Sequence, residues 1–212
     1  MNKLIDHTLL KATATTADIE KLCAEAAAYS FKSVCVNPCY VALAKERLDG
    51  SGVLVCSVVG FPLGADTIED KRAQTRAVVA AGAGEIDMVI NIGKALERDY
   101  DYLEEEIKAV VEAAEGRVVK VIIETCYLTD DIKRELARLA ARAGAGFLKT
   151  STGFGTGGAT EADVRLLREE LPESVGVKAS GGIKTKEDAL RMISAGANRI
   201  GTSSGVNLVK EE

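Results

Sequence analysis

The sequence predicts an α/β protein in which a strand–helix unit repeats eight times. Three observations carry this: eight short runs rich in Val, Ile and other strand formers, amphipathic stretches of helical period between them, and glycine-bearing helix ends placed directly before strands. Apolar runs of that kind belong to parallel sheets covered by helices, and a unit of about 26 residues is compact for a (β/α)8 barrel. A doubly wound open sheet has the same alternation, so the period alone leaves both architectures standing.

Leu4–Thr8 reads as the first strand. A helix follows Thr15, with Thr15 and Asp18 in capping positions and Ile19, Leu22, Cys23 and Ala26 on one face. Ser33–Asn37 and Leu54–Gly60 are the next strands, and a helix closing at Ala81-Gly82-Ala83-Gly84 leads into the fourth, Glu85–Asn91. Leu103, Ile107, Val110, Val111 and Ala114 mark the helix before strand Val118–Glu124. Ile132, Leu136, Leu139, Ala140 and Ala143 mark another, which closes at Gly144 before strand Phe147–Ser151. Thr160-x-x-Asp163 and Thr185-x-x-Asp188 open the last two helices, on either side of strand Gly176–Ser180. The second of these closes at Ala195-Gly196-Ala197-Asn198, before strand Arg199–Ser203. In each cap the hydroxyl accepts from an orphan N–H and the acid complements the positive helix end. No linker or shift in composition divides the chain, so residues 1–212 read as one domain.

Composition narrows the partners. The formal charge of −5 argues against nucleic acid, because phosphate neutralisation needs a surplus of Lys and Arg. The absence of Trp removes the best stacking platform for single strands. No apolar run approaches the roughly 20 residues that cross a bilayer, so no membrane partner is expected. MNKLIDHTLLK places Asp6 and His7 where a signal peptide would stay apolar, which predicts a cytoplasmic protein. Five cysteines without a CxxC pair read as reduced thiols, and a lone histidine, His7, excludes two-histidine metal motifs; no metal is expected.

Several strands carry charges where apolar residues belong: Asp6 in LIDHT, Asp87 in EIDMVIN, Lys120 and Glu124 in VVKVIIET, Lys149 in FLKTST and Lys178 in GVKASG. Side chains alternate across a strand, so Lys120, Ile122 and Glu124 share one face, as do Phe147, Lys149 and Ser151. One such residue reads as a strand end or a paired ion. Six, balanced in sign, read as three lysines and three acids converging in one interior, a site for chemistry at strand ends. A second ammonium or desolvation disfavours the charged form of a lysine, and an uncharged amine attacks carbonyls to form a Schiff base. Lys149 and Lys178, on successive strands, are the candidates.

Two glycine-rich segments follow the last two strands, Gly181-Gly182 and Gly201-Thr202-Ser203-Ser204-Gly205, where barrels bind phosphate. Two other patterns compete. Gly153–Gly158 fits G-x-G-x-x-G and would serve an NAD(P)-dependent oxidoreductase, but the following strand carries Lys178 where a ribose-binding acid is expected. Gly201-x-Ser203-x-Gly205 fits a nucleophile elbow, but no histidine follows it, and His7 reads as a packed structural residue. A non-catalytic phosphosugar-binding barrel is the other alternative, against which the pair of strand lysines argues.

The motifs LIDHTLLK, VCVNP, GFPLG, EIDMVIN, VKVIIET, FLKTSTGFG and VKASGGI, in order along nearly the whole chain, closely resemble those of the deoxyribose-phosphate aldolase family. The resemblance implies a (β/α)8 barrel and a class I lyase that reversibly cleaves 2-deoxy-D-ribose 5-phosphate to glyceraldehyde 3-phosphate and acetaldehyde, without a cofactor. It implies Lys149 as the Schiff-base lysine, Asp87 as the acid/base residue acting through water, and Lys178 as the second lysine that perturbs and assists Lys149. Phosphate would rest on Gly153, Gly181, Gly182, Gly201, Ser203 and Ser204, with Asp6, Lys120 and Glu124 as orienting partners. It also implies a homo-oligomer, a dimer or tetramer. Some members carry a lysine after the STG where this chain has Phe154. Longer members end in a tail with a tyrosine implicated in proton transfer, whereas this sequence ends in LVKEE, so proton exchange at the enamine is expected to rely on water or other groups.

Overall fold

The computed structural model of the chain describes residues 1–210; Glu211 and Glu212, the end of the LVKEE segment, lie outside them. Eight parallel strands close on themselves in sequence order: β1 (Ile5–Leu9), β2 (Ser33–Val36), β3 (Leu54–Val59), β4 (Glu85–Val89), β5 (Val118–Ile122), β6 (Phe147–Lys149), β7 (Gly176–Ser180) and β8 (Arg199–Thr202). β8 pairs back onto β1, with Asp6 opposite Gly201, so the sheet is a (β/α)8 barrel and the open-sheet alternative falls away.

The helices are α1 (Thr16–Ala28), α2 (Val41–Arg47), α3 (Ile68–Ala80), α4 (Ile92–Glu97), α5 (Tyr100–Ala113), α6 (Asp130–Arg142), α7 (Glu161–Glu170), α8 (Lys186–Ser194) and α9 (Gly205–Val209). The three expected caps form: the hydroxyls of Thr15, Thr160 and Thr185 accept from the N–H groups of Asp18, Asp163 and Asp188. Thr67 and Asp70 repeat the device at the start of α3. Gly82, Gly144 and Gly196 take φ of 107°, 89° and 114° after their helices, the left-handed turn that their positions in the sequence required. α2, α4 and α9 are too short to display a helical period and escaped the sequence reading.

Three strands stop two residues before their expected ends, all at the C-terminal rim. Asn91 leaves β4 to cap α4, accepting from Lys94 N–H at 3.1 Å. Glu124 turns out of β5 in the left-handed region, with φ of 51°. β6 ends at Lys149 itself. The expectation that Glu124 shares a strand face with Lys120 is thereby corrected: the backbone reverses before it.

Alternation sorts each strand into two environments. Ile86, Met88, Val119, Val121, Leu148, Val177 and Ile200 point outward into the main apolar core between sheet and helices. A small apolar cluster of Leu10, Cys35, Cys56 and Val58, with Phe61 against it, is separate from that core and lines the β1–β3 side of the interior. Most of the remaining interior positions toward β4–β8 carry charged side chains. His7 faces outward, its Nε2 2.8 Å from Glu25 on α1 and its ring edge-on to Phe31, which matches its expected structural role. Among the described residues no helix is long and apolar enough to cross a membrane.

One buried ion pair fixes the loops at the C-terminal rim. Lys71 on α3 donates to Gly64 O and Val89 O, each at 2.8 Å, and to Glu106 Oε1 at 2.6 Å; Glu106 Oε2 accepts from Asn91 N–H at 2.9 Å. The clasp joins the GFPLG loop after β3 to the end of β4, the strand that carries Asp87.

Candidate active site

The inward positions of β1 and β4 to β8 bring together Asp6, Glu85, Asp87, Lys120, Lys149, Lys178 and Arg199, all buried. Asp87 is the hub. Lys149 Nζ and Lys178 Nζ reach the same oxygen, Oδ2, at 2.8 and 2.7 Å, while Lys120 Nζ reaches Oδ1 at 2.9 Å. Cys56 Sγ lies 3.1 Å from that second oxygen. Below the hub, Lys178 Nζ also sits 2.6 Å from Asp6 Oδ2, and Lys120 Nζ 2.7 Å from Glu85. Arg199 closes the layer, donating to Asp6 Oδ1 at 2.8 Å and to Glu85 Oε2 at 2.9 Å.

The pairing overrides the cost of burial. Burial pushes the Asp87 carboxyl up, but the ammoniums of Lys120, Lys149 and Lys178 outweigh it and hold the group well below the usual carboxylate range. Asp6 behaves alike under Lys178, Lys120 and Arg199. Burial likewise works against charge on Lys120 and Lys178, and their carboxylate neighbours raise both above the ordinary lysine range. Lys120 and Lys178 are therefore fixed cations.

Lys149 differs from them in geometry. It has one carboxylate partner, and it alone of the buried lysines opens onto a cavity of about 380 Å³ at the barrel mouth. Lys178 passes beneath Gly201, where a Cβ would stand 3.0 Å from Lys178 Cε; the glycine is required there so that this lysine can reach Asp87.

The expected phosphate residues divide. Gly153, Gly181, Gly182, Gly201 and Ser203 line the cavity; Ser204 does not, and its backbone N–H donates to Thr202 Oγ1 at 2.9 Å. Lys11 and Lys184 also line the cavity, and among the described residues no carboxylate does. Sequence reading gave neither lysine a role, although Lys11 closes the motif LIDHTLLK and Lys184 directly follows VKASGGI. Phe154 stands at the mouth, edge-on to Phe61 of the GFPLG loop with ring centroids 5.4 Å apart.

Of the six strand charges predicted to converge, five do so. Glu124 instead accepts from Thr152 N–H at 3.2 Å and from the Thr152 hydroxyl, bracing the loop after β6. Glu85 and Arg199 take part without having been predicted; they stand at strand starts, where a charge reads as solvated. The two decoys are also placed. Gly153–Gly158 is a βα loop whose end packs on the turn after β7, Ala159 N–H donating to Ser180 O and Gly181 O, and α7 begins only at Glu161. Ser203 has no histidine near it, since His7 faces the helices. Cys35, Cys56 and Asp87 bring ligand atoms within 4.8 Å of one another, but Asp87 is already balanced by three ammoniums, so a metal there would have to displace Lys120.

A profile of the DeoC/LacD family aldolases matches residues 1–210. The deoxyribose-phosphate aldolase of Finegoldia magna is 56% identical over 210 residues, covering 99% of each chain. That of Streptococcus sanguinis is 55% identical over 212 residues, covering 100% of this chain and 96% of its own. Among solved structures, the deoxyribose phosphate aldolase of Aeropyrum pernix, described as a tetramer, superposes with a TM-score of 0.91 at 38% identity, covering 98% of this chain and 88% of its own. An aldolase designated QR15 superposes with a TM-score of 0.94 at 39% identity, covering 98% and 93%.

Proposed function

The chain belongs to the DeoC/LacD aldolase family, and we propose that it acts as a single-domain cytoplasmic deoxyribose-phosphate aldolase with Lys149 as its Schiff-base residue. One observation carries the assignment of Lys149. The interior ion pairs join four cations to three carboxylates, and Lys149 is the cation with one partner and a face on the cavity. Loss of its proton leaves the interior balanced and the amine free to react.

The Lys149 amine adds to C1 of open-chain 2-deoxyribose 5-phosphate, giving a carbinolamine. Asp87, through water, moves the protons by which that adduct loses its hydroxyl as water and becomes an iminium. The C3 hydroxyl then gives up its proton, the C2–C3 bond breaks, and its electron pair flows into the iminium to leave an enamine. C3 departs as the aldehyde of glyceraldehyde 3-phosphate. Protonation of the enamine at C2 and hydrolysis release acetaldehyde and the free amine. Lys178, a fixed cation on the same Asp87 oxygen, disfavours a proton on Lys149. Lys120 and Asp6 hold Asp87 in place, and Glu124 holds the Thr152 loop.

Gly153, Gly181, Gly182, Gly201 and Ser203 would cradle the phosphate, while Ser204, expected among them, stands outside the cavity lining. Lys11 and Lys184 supply positive charge in a cavity that no carboxylate of the described residues lines, which offsets the lysine that Phe154 replaces. The closed barrel leaves no open-sheet crevice for a dinucleotide, which disfavours the oxidoreductase alternative. Assembly into a dimer or tetramer extends to this chain the state described for the Aeropyrum pernix protein; light scattering on the purified protein tests it.

The decisive experiment is borohydride reduction with deoxyribose 5-phosphate or acetaldehyde, followed by peptide mass mapping. An adduct on the peptide containing Lys149 is expected. No adduct, or one that survives Lys149→Leu, rejects the assignment.

A further inference from the structure

Arg199 belongs to none of the motifs that identify the site, yet it is buried at the bottom of the barrel interior against two of the three carboxylates. Its guanidinium lies over the Phe147 ring, 5.0 Å from the centroid, and Gly176 leaves that ring room, since a Cβ there would fall 2.3 Å from it. A guanidinium keeps its proton under all conditions relevant to a protein. From it runs an unbroken chain of contacts: Arg199 to Asp6 at 2.8 Å, Asp6 to Lys178 at 2.6 Å, Lys178 to Asp87 at 2.7 Å and Asp87 to Lys149 at 2.8 Å. A second chain runs from Arg199 through Glu85 and Lys120 to Asp87.

We infer that Arg199 is a positioning residue that sets the charge balance at Lys149 from the opposite end of the barrel interior. The inference rests on the assignment of Lys149 above. With Arg199 in place, four cations share three carboxylates, so the network holds one proton too many and the cavity-facing lysine is the one able to release it. Arg199 also occupies Asp6 and Glu85, which keeps their negative charge from falling entirely on Lys178 and Lys120. Without Arg199, three lysines would face three carboxylates and every ammonium would be matched.

The groups that face Lys149 come from all sides. Asp87 (β4) touches it, Lys178 (β7) shares its oxygen, and Lys120 (β5) holds the other oxygen. Cys56 (β3) and Cys35 (β2), whose sulfurs lie within 4.8 Å of each other and of the Asp87 carboxylate, stand behind Asp87, and Asp6 (β1) lies below. Lys11 and Lys184 share the cavity, while Glu124 is turned to Thr152. Arg199 and Glu85 are groups of opposite sign that touch neither Lys149 nor Asp87. They offer perturbations that leave every direct contact of the reacting amine intact.

The test is the pH dependence of Lys149 reactivity in three variants, read as cyanoborohydride trapping with acetaldehyde and as kcat/KM for deoxyribose 5-phosphate. Arg199→Met removes a cation and is expected to move the acid limb of both profiles up by about one pH unit. That is the size of one unit charge acting across about 12 Å at an effective dielectric of about 20. Glu85→Gln removes an anion and is expected to move the limb down by a similar amount. Arg199→Lys, which keeps the charge, should leave it within about 0.3 unit whatever happens to the rate. A residue that merely supports the fold would lower activity at every pH with the limb in place, or move it the same way in Arg199→Met and Glu85→Gln; either result overturns the inference. If Arg199→Met does not fold, Glu85→Gln decides alone, and an upward or absent shift refutes. Failure of wild-type Lys149 to be trapped rejects the Schiff-base assignment instead, and so separates the two.

Discussion

Lys178→Leu is the sharpest probe of how the reacting amine is kept reactive. In the wild type the ammoniums of Lys149 and Lys178 contact the same Asp87 oxygen at 2.8 and 2.7 Å. Two charges about 5 Å apart at an effective dielectric of about 20 repel by about 3 kcal/mol, equivalent to about 2 pH units. Removing Lys178 relieves that repulsion and leaves Asp87 and Asp6 each short of a partner, and both effects favour the protonated form of Lys149. The acid limb of kcat/KM for deoxyribose 5-phosphate should therefore rise by about 2 units, with activity partly recovered at alkaline pH. Breaking a buried pair also costs about 3–5 kcal/mol of stability, so the profile is measured well below the variant's melting temperature. An active variant whose acid limb stays in place, or falls, would show that Lys178 does not act on Lys149 through charge.

Four further outcomes are expected. Asp87→Asn should lower kcat by about 10²–10⁴-fold, the usual worth of a general acid/base, while a loss confined to KM would remove Asp87 from proton transfer. Lys184→Met and Lys11→Met should each raise KM for the phosphorylated sugar several-fold more than KM for free deoxyribose; equal effects on both sugars would place the phosphate elsewhere. Lys71→Met strips the donor from Gly64 O, Val89 O and Glu106 at once and should destabilise the fold by about 3–5 kcal/mol in urea unfolding, with a cost below 1 kcal/mol refuting the clasp. Asp6 has a folded pKa below its unfolded value near 3.9, so its contribution is complete above that value and lost as pH falls through the lower folded one. Between pH 4 and 2 the wild type should accordingly lose more stability than Asp6→Asn, and parallel slopes would contradict the pairing.

The fold was legible because the chain obeys local rules where packing demands them. Thr15, Thr160 and Thr185 announce helix starts, Gly82, Gly144 and Gly196 announce their ends, and a short strand opens soon after each glycine. What blurred was the C-terminal rim. Asn91 and Glu124 continue their strands by composition, yet one caps a helix and the other reverses the backbone. A residue's type does not reveal that its neighbour's carbonyl has run out of sheet partners. The proposed reacting triad was legible for a different reason: Asp87, Lys149 and Lys178 each interrupt an apolar run. Arg199 and Glu85 interrupt nothing, since each opens its strand beside helix-ending polar residues. Lys71 and Glu106 were hidden in the same way, as ordinary charges on amphipathic helices whose faces only tertiary packing defines.

The charged interior also explains why these strands depart from the apolar layers that fill most barrels. An apolar filling would stabilise more, because each buried ion costs several kcal/mol before its partners compensate. An apolar filling, however, cannot hold an amine near neutrality. A lone buried lysine would lose its proton but would have no base beside it, and a single Lys–Asp pair would keep its proton too firmly. Three carboxylates against four cations answer both problems: every carboxylate is paired, Asp87 stands beside Lys149, and the one cation with a single carboxylate partner opens onto the cavity. On this reasoning the odd charge, more than any single neighbour, is what the interior is built to maintain. Variants that preserve it should keep their pH profile even when their rates fall.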